Sequence, residues 1–338
     1  MSDPTDAPIF IVGTPRSGTT LAAKILGRHP RLFMPGETHF FDDIHSHAKA
    51  DGTFGEEDRQ GIRDRLATLY GRYNEPTDQE RIDHLLGQGC DFQAAAWTSY
   101  RDALTAFMRA QMEHEGKVRW GNNAPRDIFH VKTIVRFYPD AKVVVCVRDP
   151  RDFLVSYKGK WRSTAEDEVE RLRSLYHPLV TSLLWKSSMK LVPSIRERVP
   201  EGNLFILPYE TMVADPEGTV RRLCETIGEE YDPAMLDVDT YGSAHGDQGR
   251  GVFSSSVGRW REHLSDEECW IAQRTCAAEM QALGYAPEPV RPSRLKVLAI
   301  KAAAPAALVR ALHANRHKRG PLLPYLLKRA GALLGGKR

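Results

Sequence analysis

The 338-residue sequence has few cysteines and no long uncharged apolar segment. None of its five cysteines shows the paired spacing of a zinc site; they are Cys90, Cys146, Cys224, Cys269 and Cys276. The odd number, with one cysteine inside an apolar run, indicates reduced thiols, so we expect a cytoplasmic protein. Residues 1–8 are polar and no apolar run approaches the ~18 residues of a membrane span, so we expect neither a secretory signal nor a transmembrane anchor.

Acidic residues are missing from the C-terminal segment. Residues 291–338 hold 12 Lys and Arg and no Asp or Glu, whereas residues 1–290 hold the other 35 basic residues and all 44 acidic ones. Because apolar side chains are interleaved with this charge, we predict a domain over residues 1–290 and a basic amphipathic tail over 291–338. Three prolines are expected to prevent one continuous helix there: Pro305, Pro321 and Pro324.

Two interpretations of this tail stay open. It can rest on anionic lipid at the inner face of a membrane, where each cation adds about 1 kcal/mol. It can instead pack as helices on the acidic body or be partly disordered. The sequence indicates no nucleic-acid partner and is compatible with a homo-oligomer.

A glycine-bracketed loop lies near the start of the chain, in the stretch Ile9–Leu21 (IFIVGTPRSGTTL). The four apolar residues Ile9–Val12 predict a buried strand, and Thr19–Gly27 is compatible with a helix. Gly13 and Gly18 bracket the loop between them. The first amides of such a helix have no internal partner and lie at the positive end of its dipole, so we expect an anion site.

This loop lacks the lysine of nucleoside-triphosphate sites. In the signature G-x-x-x-x-G-K-[ST] the lysine reaches the β and γ phosphates and the next hydroxyl holds magnesium, but this chain has Thr19 at the lysine position. The cation is Arg16 instead, whose planar guanidinium can bind phosphate or sulfonate oxygens without a metal. Ser17 and Thr20 supply further hydroxyls. A chance Gly-Ser-Thr turn after a strand is the structural alternative.

The segment Pro15–Thr20 resembles the first motif, P-[KR]-[ST]-G-T-T, of sulfotransferases that use 3′-phosphoadenosine 5′-phosphosulfate (PAPS). The motif style is closest to bacterial, tyrosylprotein-type and heparan-type members. The resemblance implies an α/β fold, with a central parallel sheet flanked by helices as in P-loop NTPases. It also implies a nucleotide-binding set in this loop: Arg16, Ser17, Gly18, Thr19 and Thr20.

A second motif follows a second apolar strand, Val143–Val147. Arg148 comes directly after it and Ser156 lies eight residues later, in a predicted helix. The carboxyl edge of a parallel sheet is where ligands bind, so the two side chains can converge on one anion. The segment resembles the family's second motif, R-[DN]-P-x-[DE]-x-x-x-S, which implies that Arg148 and Ser156 hold the 3′-phosphate. Structural pairing of arginine with aspartate is the alternative.

Two later segments carry weaker signals. A third predicted strand, Leu204–Leu207, precedes Tyr209, and the resemblance implies that Tyr209 lines the adenine pocket; a sheet-edge aromatic is the alternative. The run S-S-x-G-R-W, within the Gly- and Ser-rich loop 242–260, resembles a late motif of the family. It implies that Ser256 and Arg259 close over the 3′ side of the nucleotide.

Two helices have well-marked ends in the sequence. Asp215 as N-cap, Pro216 in the first turn and Gly228 after the last turn predict a helix between them. Ser265 and Glu268 have the spacing of a capping box, which predicts the start of the last helix of the body.

Glu37 is the candidate general base. It lies 21 residues after Arg16, between a glycine and an aromatic pair, and a partly apolar setting would make its carboxylate a better base. The resemblance implies the same role, because related enzymes for protein tyrosine and heparan-type sugars use a glutamate about twenty residues past the loop. His39 is the competing base, and an exposed glutamate beside a turn is the structural alternative.

The segment from 120 to 125 departs from the family pattern. Related enzymes commonly place a lysine there, which can stabilise charge on the leaving phosphate, whereas this chain has Asn123. Pro125 occupies the place of the histidine base of the cytosolic small-molecule enzymes, which again favours Glu37. Residues 43–116 match nothing in the family, and their helical pattern predicts an insertion covering the acceptor site, with plain packing as the alternative.

The sequence therefore predicts a metal-independent transferase that moves a sulfonate from PAPS to a hydroxyl. A carbohydrate or glycolipid is the first acceptor we expect, a small alcohol or phenol the second, and a peptide tyrosine the third. The alternatives are a P-loop kinase or NTPase and a non-catalytic nucleotide-binding membrane adaptor, because fold and nucleotide motifs do not determine the reaction.

Overall fold

The computed structural model describes most of the chain, as two compact units. The described residues are 7–45, 48–49, 53–70, 97–159, 169, 175–239, 251–252 and 255–314. The first unit comprises residues 1–146 and 193–238, and the second comprises residues 147–192 and 239–338.

Five strands form one parallel sheet in the spatial order β2-β3-β1-β4-β5. Their bounds are β1 Ile9–Gly13, β2 Leu32–Phe33, β3 Arg119–Asn123, β4 Lys142–Val147 and β5 Leu204–Pro208. β1 is buried along its whole length and β4 is buried beyond Lys142. Continuous apolar runs of this kind are typical of parallel strands that are covered on both faces. The predicted α/β fold with a central parallel sheet is confirmed.

Thirteen α-helices are present among the described residues. They are α1 Thr19–Gly27, α2 Glu56–Tyr70, α3 Tyr100–His114, α4 Val131–Phe137, α5 Pro150–Lys158, α6 Pro178–Met189, α7 Val192–Arg198, α8 Tyr209–Ala214, α9 Pro216–Ile227, α10 Trp260–His263, α11 Asp266–Thr275, α12 Ala277–Ala282 and α13 Arg294–Ala314. A π-helical turn covers Phe40–Ile44, and short 3₁₀ turns cover Pro125–Phe129, Glu201–Asn203 and Pro233–Leu236. Within the described chain, no helix combines the length and apolarity needed to cross a bilayer.

The sheet register brings three strand ends to one edge. Ile11 pairs with Asn123 of β3, and Gly13 pairs with Cys146 of β4, so β1, β3 and β4 end close together. β3 and β4 follow each other in sequence but lie on opposite sides of β1. The chain therefore switches sides at β1, and the crevice outside such a switch point is where open α/β sheets bind ligands.

The predicted helix ends are confirmed where the sequence marked them. The Asp215 side chain accepts a hydrogen bond from the Gly218 amide at 3.0 Å, and Gly228 follows α9 with φ +78°. The capping box is formed at α11, because the Ser265 hydroxyl accepts from the Glu268 amide and the Glu268 carboxylate accepts from the Ser265 amide.

The prediction that Pro305 interrupts the C-terminal segment is wrong. α13 runs from Arg294 to Ala314 with Pro305 inside it. Pro305 and Lys301 are exposed, so the Lys301 carbonyl, which the proline leaves without an amide donor, can be hydrated. Pro321 and Pro324 lie outside the described residues.

Candidate functional site

The loop after β1 has an unusual backbone conformation. Arg16 has φ +75° and Gly18 has φ +90°, and the Ser17 amide donates to the Thr14 carbonyl at 3.1 Å. A left-handed conformation is uncommon for an arginine and persists only where the surrounding structure holds it. The tight turn thus fixes the predicted cation Arg16 inside the loop.

The start of α1 is open to an anion. Gly18 is its N-cap residue, no side chain caps its first amides, and its first turn holds no acidic residue. These amides lie at the positive end of the helix dipole. The structure therefore has the strand, loop and uncapped helix that the sequence predicted for an anion site.

Buried polar atoms without partners surround this loop. Thr14 Oγ1, Ser17 Oγ and Asn123 Oδ1 have no hydrogen-bond partner within the described chain, and all three residues are buried. Buried hydroxyls and amides are rarely left unsatisfied, so these atoms fit a site that receives a polar ligand. Of the two predicted threonines, Thr19 is buried and Thr20 is exposed.

Tyr209 lies against the same loop. It is the first residue of α8, directly after β5. A Cβ atom added to Gly18 would lie 2.6 Å from the Tyr209 ring, closer than any side chain could approach. Gly18 is therefore required both by its positive φ and by this ring, and Tyr209 is placed beside the loop residues with which the sequence grouped it.

The two candidate bases are neighbours. Glu37 Oε2 lies 3.3 Å from His39 Nε2, and the side chains are 33% and 17% exposed respectively. His39 has φ +50°, a second left-handed residue that is not glycine. The two candidate bases therefore lie side by side, and the His39 imidazole is close to the Glu37 carboxylate.

A buried hydrogen-bond chain fixes the segment that carries Glu37. The Thr38 hydroxyl donates to Asn122 Oδ1 at 2.9 Å, and Asn122 Nδ2 donates to Asp127 Oδ2 at 2.8 Å. All three residues are at most 1% exposed. Because Asn122 lies near the carboxyl end of β3, this chain ties the Glu37 segment to the sheet edge at which the loop begins.

Sequence reasoning missed this chain of side chains. Thr38, Asn122 and Asp127 lie beside residues that the motifs did single out, but polar residues in the run W-G-N-N gave no strand signal. The usable clue was the run N-N-A-P-R-D at residues 122–127. Asparagine and aspartate side chains at a strand end must find hydrogen-bond partners if they are buried.

Asp127 is the titratable group of this hydrogen-bond chain, and its pKa is strongly shifted. Burial raises its pKa well above the ordinary value, and the nearby charges of Asp42 and Glu37 raise it further, against the lowering effects of Arg126 and Asn122. Asp127 Oδ1 has no hydrogen-bond partner within the described chain. A neutral, protonated carboxyl fits such a position.

We expect the unfolding free energy to report this proton. The folded protein holds the Asp127 proton more tightly than the unfolded chain, so the stabilisation is complete below the ordinary aspartate range near pH 4 and is lost as pH rises toward the higher folded pKa. Asp127→Asn should therefore lose less unfolding free energy than the wild type between pH 4.5 and 8, as measured by urea denaturation. Exposed Asp140→Asn is the control and should follow the wild type. Parallel pH profiles for wild type and Asp127→Asn would contradict the assignment.

In the second unit, Arg148 reaches the late glycine-rich motif. It is buried directly after β4, and its Nη2 donates to the Ser256 carbonyl at 2.8 Å. Its own carbonyl accepts from Trp185 Nε1 at 2.9 Å. The structure therefore brings together Arg148 and Ser256, which the sequence placed in two separate motifs.

Asp152 makes the second link between these motifs. Its carboxylate accepts from the Gly258 amide at 2.6 Å and from the Trp260 amide at 3.0 Å. Burial nevertheless raises the pKa of Asp152, the hydrogen bonds and Arg148 acting in the opposite direction. The aspartate of the second motif thus holds the turn that contains the late motif.

The second motif also contains a structural arginine–aspartate pair, formed by Arg151 and Asp149. Arg151 Nη2 lies 2.6 Å from Asp149 Oδ2, and its guanidinium carbon lies 4.2 Å from the centre of the Trp260 ring. Asp149 also caps α5 through the Arg151 amide. Arg151 therefore forms a structural pair with Asp149, while the charge of Arg148 acts on Asp152.

The other two predicted residues of this unit differ in their surroundings. Ser156 is buried on α5, one turn and a half after the helix begins. Arg259 is half-buried, and its Nη2 lies 2.8 Å from His263 Nε2, so it faces along α10. Ser254, another residue of the late loop, lies outside the described residues.

A comparison with protein families decides the class. The model of the sulfotransferase family matches residues 8–233, which include the anion loop, Glu37, Arg148 and Tyr209. The chain belongs to the sulfotransferase family. The resemblance of the sequence motifs is confirmed at the level of family and fold.

The chain is also similar to individual curated proteins. Nodulation protein NoeE of Sinorhizobium fredii is 23% identical over 297 residues, covering 82% of this chain and 65% of its own length. Protein-tyrosine sulfotransferase A of Caenorhabditis elegans is 24% identical over 235 residues, covering 68% of this chain and 51% of its own length. The chain thus spans less than two thirds of either relative.

Among solved structures, the sulfotransferase domain of the Synechococcus PCC 7002 olefin synthase superimposes with a TM-score of 0.54. The two are 17% identical, and the superposition covers 84% of this chain and 96% of that domain. At this identity the likeness shows the shared fold.

Proposed function

We propose that this sulfotransferase moves a sulfonate from PAPS to the hydroxyl of an acceptor without a metal. One observation carries the proposal: the loop after β1 presents an arginine, buried unpartnered hydroxyls and an uncapped helix, but no lysine. A γ-phosphate site would need that lysine and a magnesium ligand. A site for a sulfonate on a 5′-phosphate needs donors, and the loop supplies them.

The residues present fit the nucleotide. Arg16, Ser17, Gly18, Thr19 and Thr20 would hold the sulfonate and the 5′-phosphate, with Arg16 in the position to neutralise their charge. When bound, PAPS supplies a sulfonate on a good phosphate leaving group. Further groups are proposed for the rest of the nucleotide: Tyr209 for the adenine, and Arg148, Ser156, Ser256 and Arg259 for the 3′-phosphate.

Glu37 is proposed to take the proton of the acceptor hydroxyl. As the acceptor oxygen bonds to sulfur, the bond from sulfur to the bridging phosphate oxygen breaks, and the acceptor proton passes to Glu37. His39, whose Nε2 lies 3.3 Å from Glu37 Oε2, would help to orient the carboxylate. The hydrogen bond from Thr38 to Asn122 would hold the segment that carries Glu37 in place.

Negative charge on the bridging oxygen is proposed to be stabilised by Arg16 and the start of α1. Asn123 stands where related enzymes have a lysine, and its buried amide can donate a hydrogen bond but brings no charge. Preorganised donors at the developing charge lower the barrier of the reaction. Because Asn123 brings no charge, the loop after β1 would supply more of this stabilisation than in enzymes that have the lysine.

We propose a carbohydrate or glycolipid acceptor first, from the Glu37 motif and the basic tail. A small alcohol or phenol comes second and a peptide tyrosine third, although one relative is a protein-tyrosine sulfotransferase. The four described cysteines are free and buried, which supports a reducing, cytoplasmic setting. The domain limits 1–290 and 291–338, and the covering role of 43–116, remain predictions.

Calorimetric titration tests the proposal. The protein should bind 3′-phosphoadenosine 5′-phosphate tightly, equally with and without magnesium, and should bind ATP weakly in both conditions. Magnesium-dependent ATP binding with hydrolysis would replace the proposal by a kinase or NTPase. Nucleotide binding without transfer to any acceptor of the three classes would favour the non-catalytic adaptor.

A further inference from the structure

The helix α13 has two opposite apolar faces. One face packs against α6 and α11 of the second unit, and its residues recur at spacings of three and four. They are Val297, Ile300, Ala304, Ala307 and Ala311, all buried or half-buried. The Ile300 carbonyl also lies 3.1 Å from His177 Nε2, which fixes the helix rotation.

The opposite face of α13 is apolar but exposed. Leu295, Leu298 and Val309 are 80%, 65% and 66% exposed. Leu308, at 48%, is exposed on the same helix but lies beside the packed face. Four of the seven large apolar side chains that are exposed in the described chain therefore lie on this one helix. A concentration of this kind marks an interaction surface rather than scattered surface residues.

Cations border the exposed apolar face on both sides. At 100° per residue, Arg294 and Lys301 lie along one edge and Arg310 lies along the other, whereas Lys296 lies nearer the packed face, close to Glu267. The Lys301 ammonium lies 5.0 Å from the centre of the Trp270 ring. No acidic residue occurs from position 291 to 338, so no carboxylate of this segment offsets the positive charge.

We propose that α13 is a membrane-binding surface that lies flat on an anionic bilayer. The leucines enter the boundary between head groups and acyl chains, and the long Lys and Arg side chains extend to lipid phosphates. The charge favours lipid over a second copy of this chain, because two such faces in contact would bring like-charged borders together. This inference does not depend on the sulfotransferase reaction.

Vesicle flotation of the full chain tests the surface. Vesicles of phosphatidylcholine with about 30% phosphatidylglycerol should carry the protein to the top of a density gradient, and pure phosphatidylcholine should not. Salt should weaken the binding, because the attraction of exposed charges is screened. Equal binding to both vesicles, or binding to neither, would overturn the proposal.

Two variants separate the apolar and the charged contributions. Leu295→Ser with Leu298→Ser should reduce partition into the anionic vesicles by about tenfold or more, because two leucines lose their burial in the interface. Lys301→Glu with Arg294→Glu should reduce it by a similar factor. The matched controls are Leu183→Ser and Lys190→Glu, exposed residues on or beside α6, and both should bind as the wild type does.

Folding and association are checked on the same samples. Each variant should keep the wild-type unfolding temperature and nucleotide affinity, so a loss of flotation cannot be attributed to unfolding. Wild type that is dimeric by light scattering, but monomeric after Leu295→Ser with Leu298→Ser, would assign the face to a second copy and overturn the lipid proposal. Unchanged flotation of both double variants, the serine one and the glutamate one, would overturn the proposal as well.

Discussion

Glu37→Gln is expected to lower turnover by orders of magnitude while leaving nucleotide binding unchanged. The amide keeps the size and the hydrogen-bonding oxygen of the side chain but cannot accept the proton of the acceptor hydroxyl. General-base catalysis typically contributes about 10²- to 10⁴-fold, so kcat should fall by that order. The measurement is sulfonate transfer to a hydroxyl acceptor from saturating PAPS, beside calorimetric binding of 3′-phosphoadenosine 5′-phosphate.

Two controls give this result its meaning. Glu57→Gln changes an exposed glutamate of α2 and should leave kcat as it is. His39→Asn removes the imidazole next to Glu37 and should have a smaller effect on kcat. If His39→Asn lost turnover and Glu37→Gln kept it, the roles of the two neighbours would be exchanged.

Arg148→Ala is expected to weaken binding of the 3′-phosphorylated nucleotide selectively. Hydrogen bonds to charged groups contribute about 1.5–3 kcal/mol, which corresponds to roughly 10- to 100-fold in Kd. Adenosine 5′-phosphate, which lacks the 3′-phosphate, should lose much less. The ratio of the two affinities is the quantity to compare, because removing Arg148 also removes its hydrogen bond to the Ser256 carbonyl.

Two further substitutions provide the comparison for Arg148→Ala. Arg148→Lys keeps the charge but not the planar fork, and should fall between wild type and Arg148→Ala. Lys190→Ala, at an exposed position of the same unit, should bind both nucleotides as the wild type does. An equal loss for both nucleotides in Arg148→Ala would show that the residue only supports the late loop.

The strand, loop and helix of residues 9–27 were predictable because their signal is local. Four apolar residues, two spaced glycines and a helix-forming segment are contiguous, and each has one main structural meaning. The caps of α9 and α11 were predictable for the same reason. The continuity of α13 through Pro305 was not predictable, because it depends on the exposed position of the Lys301 carbonyl, which solvent can hydrate once the proline has removed its amide donor.

The strand β3 shows the limit of such reasoning. W-G-N-N lacks the β-branched pattern of a strand, and only its place between β1 and β2 makes it one. In this position Asn122 forms hydrogen bonds with Thr38, which is distant in sequence, and with Asp127, which lies nearby but belongs to no motif. Partners of this kind are set by strand order, which short motifs do not encode.

The sequence by itself determined the family, the parallel α/β fold and the residue types of the anion loop, because contiguous residues carry those signals. Tertiary structure decided that His39 faces Glu37, that a buried carboxyl stands behind Asn122, and that Arg148 contacts the late motif. It also decided which face of α13 is covered and which is exposed. These features arise where side chains from separate segments come together in a buried, low-dielectric environment. Burial there determines which polar groups must pair and which carboxyls stay protonated.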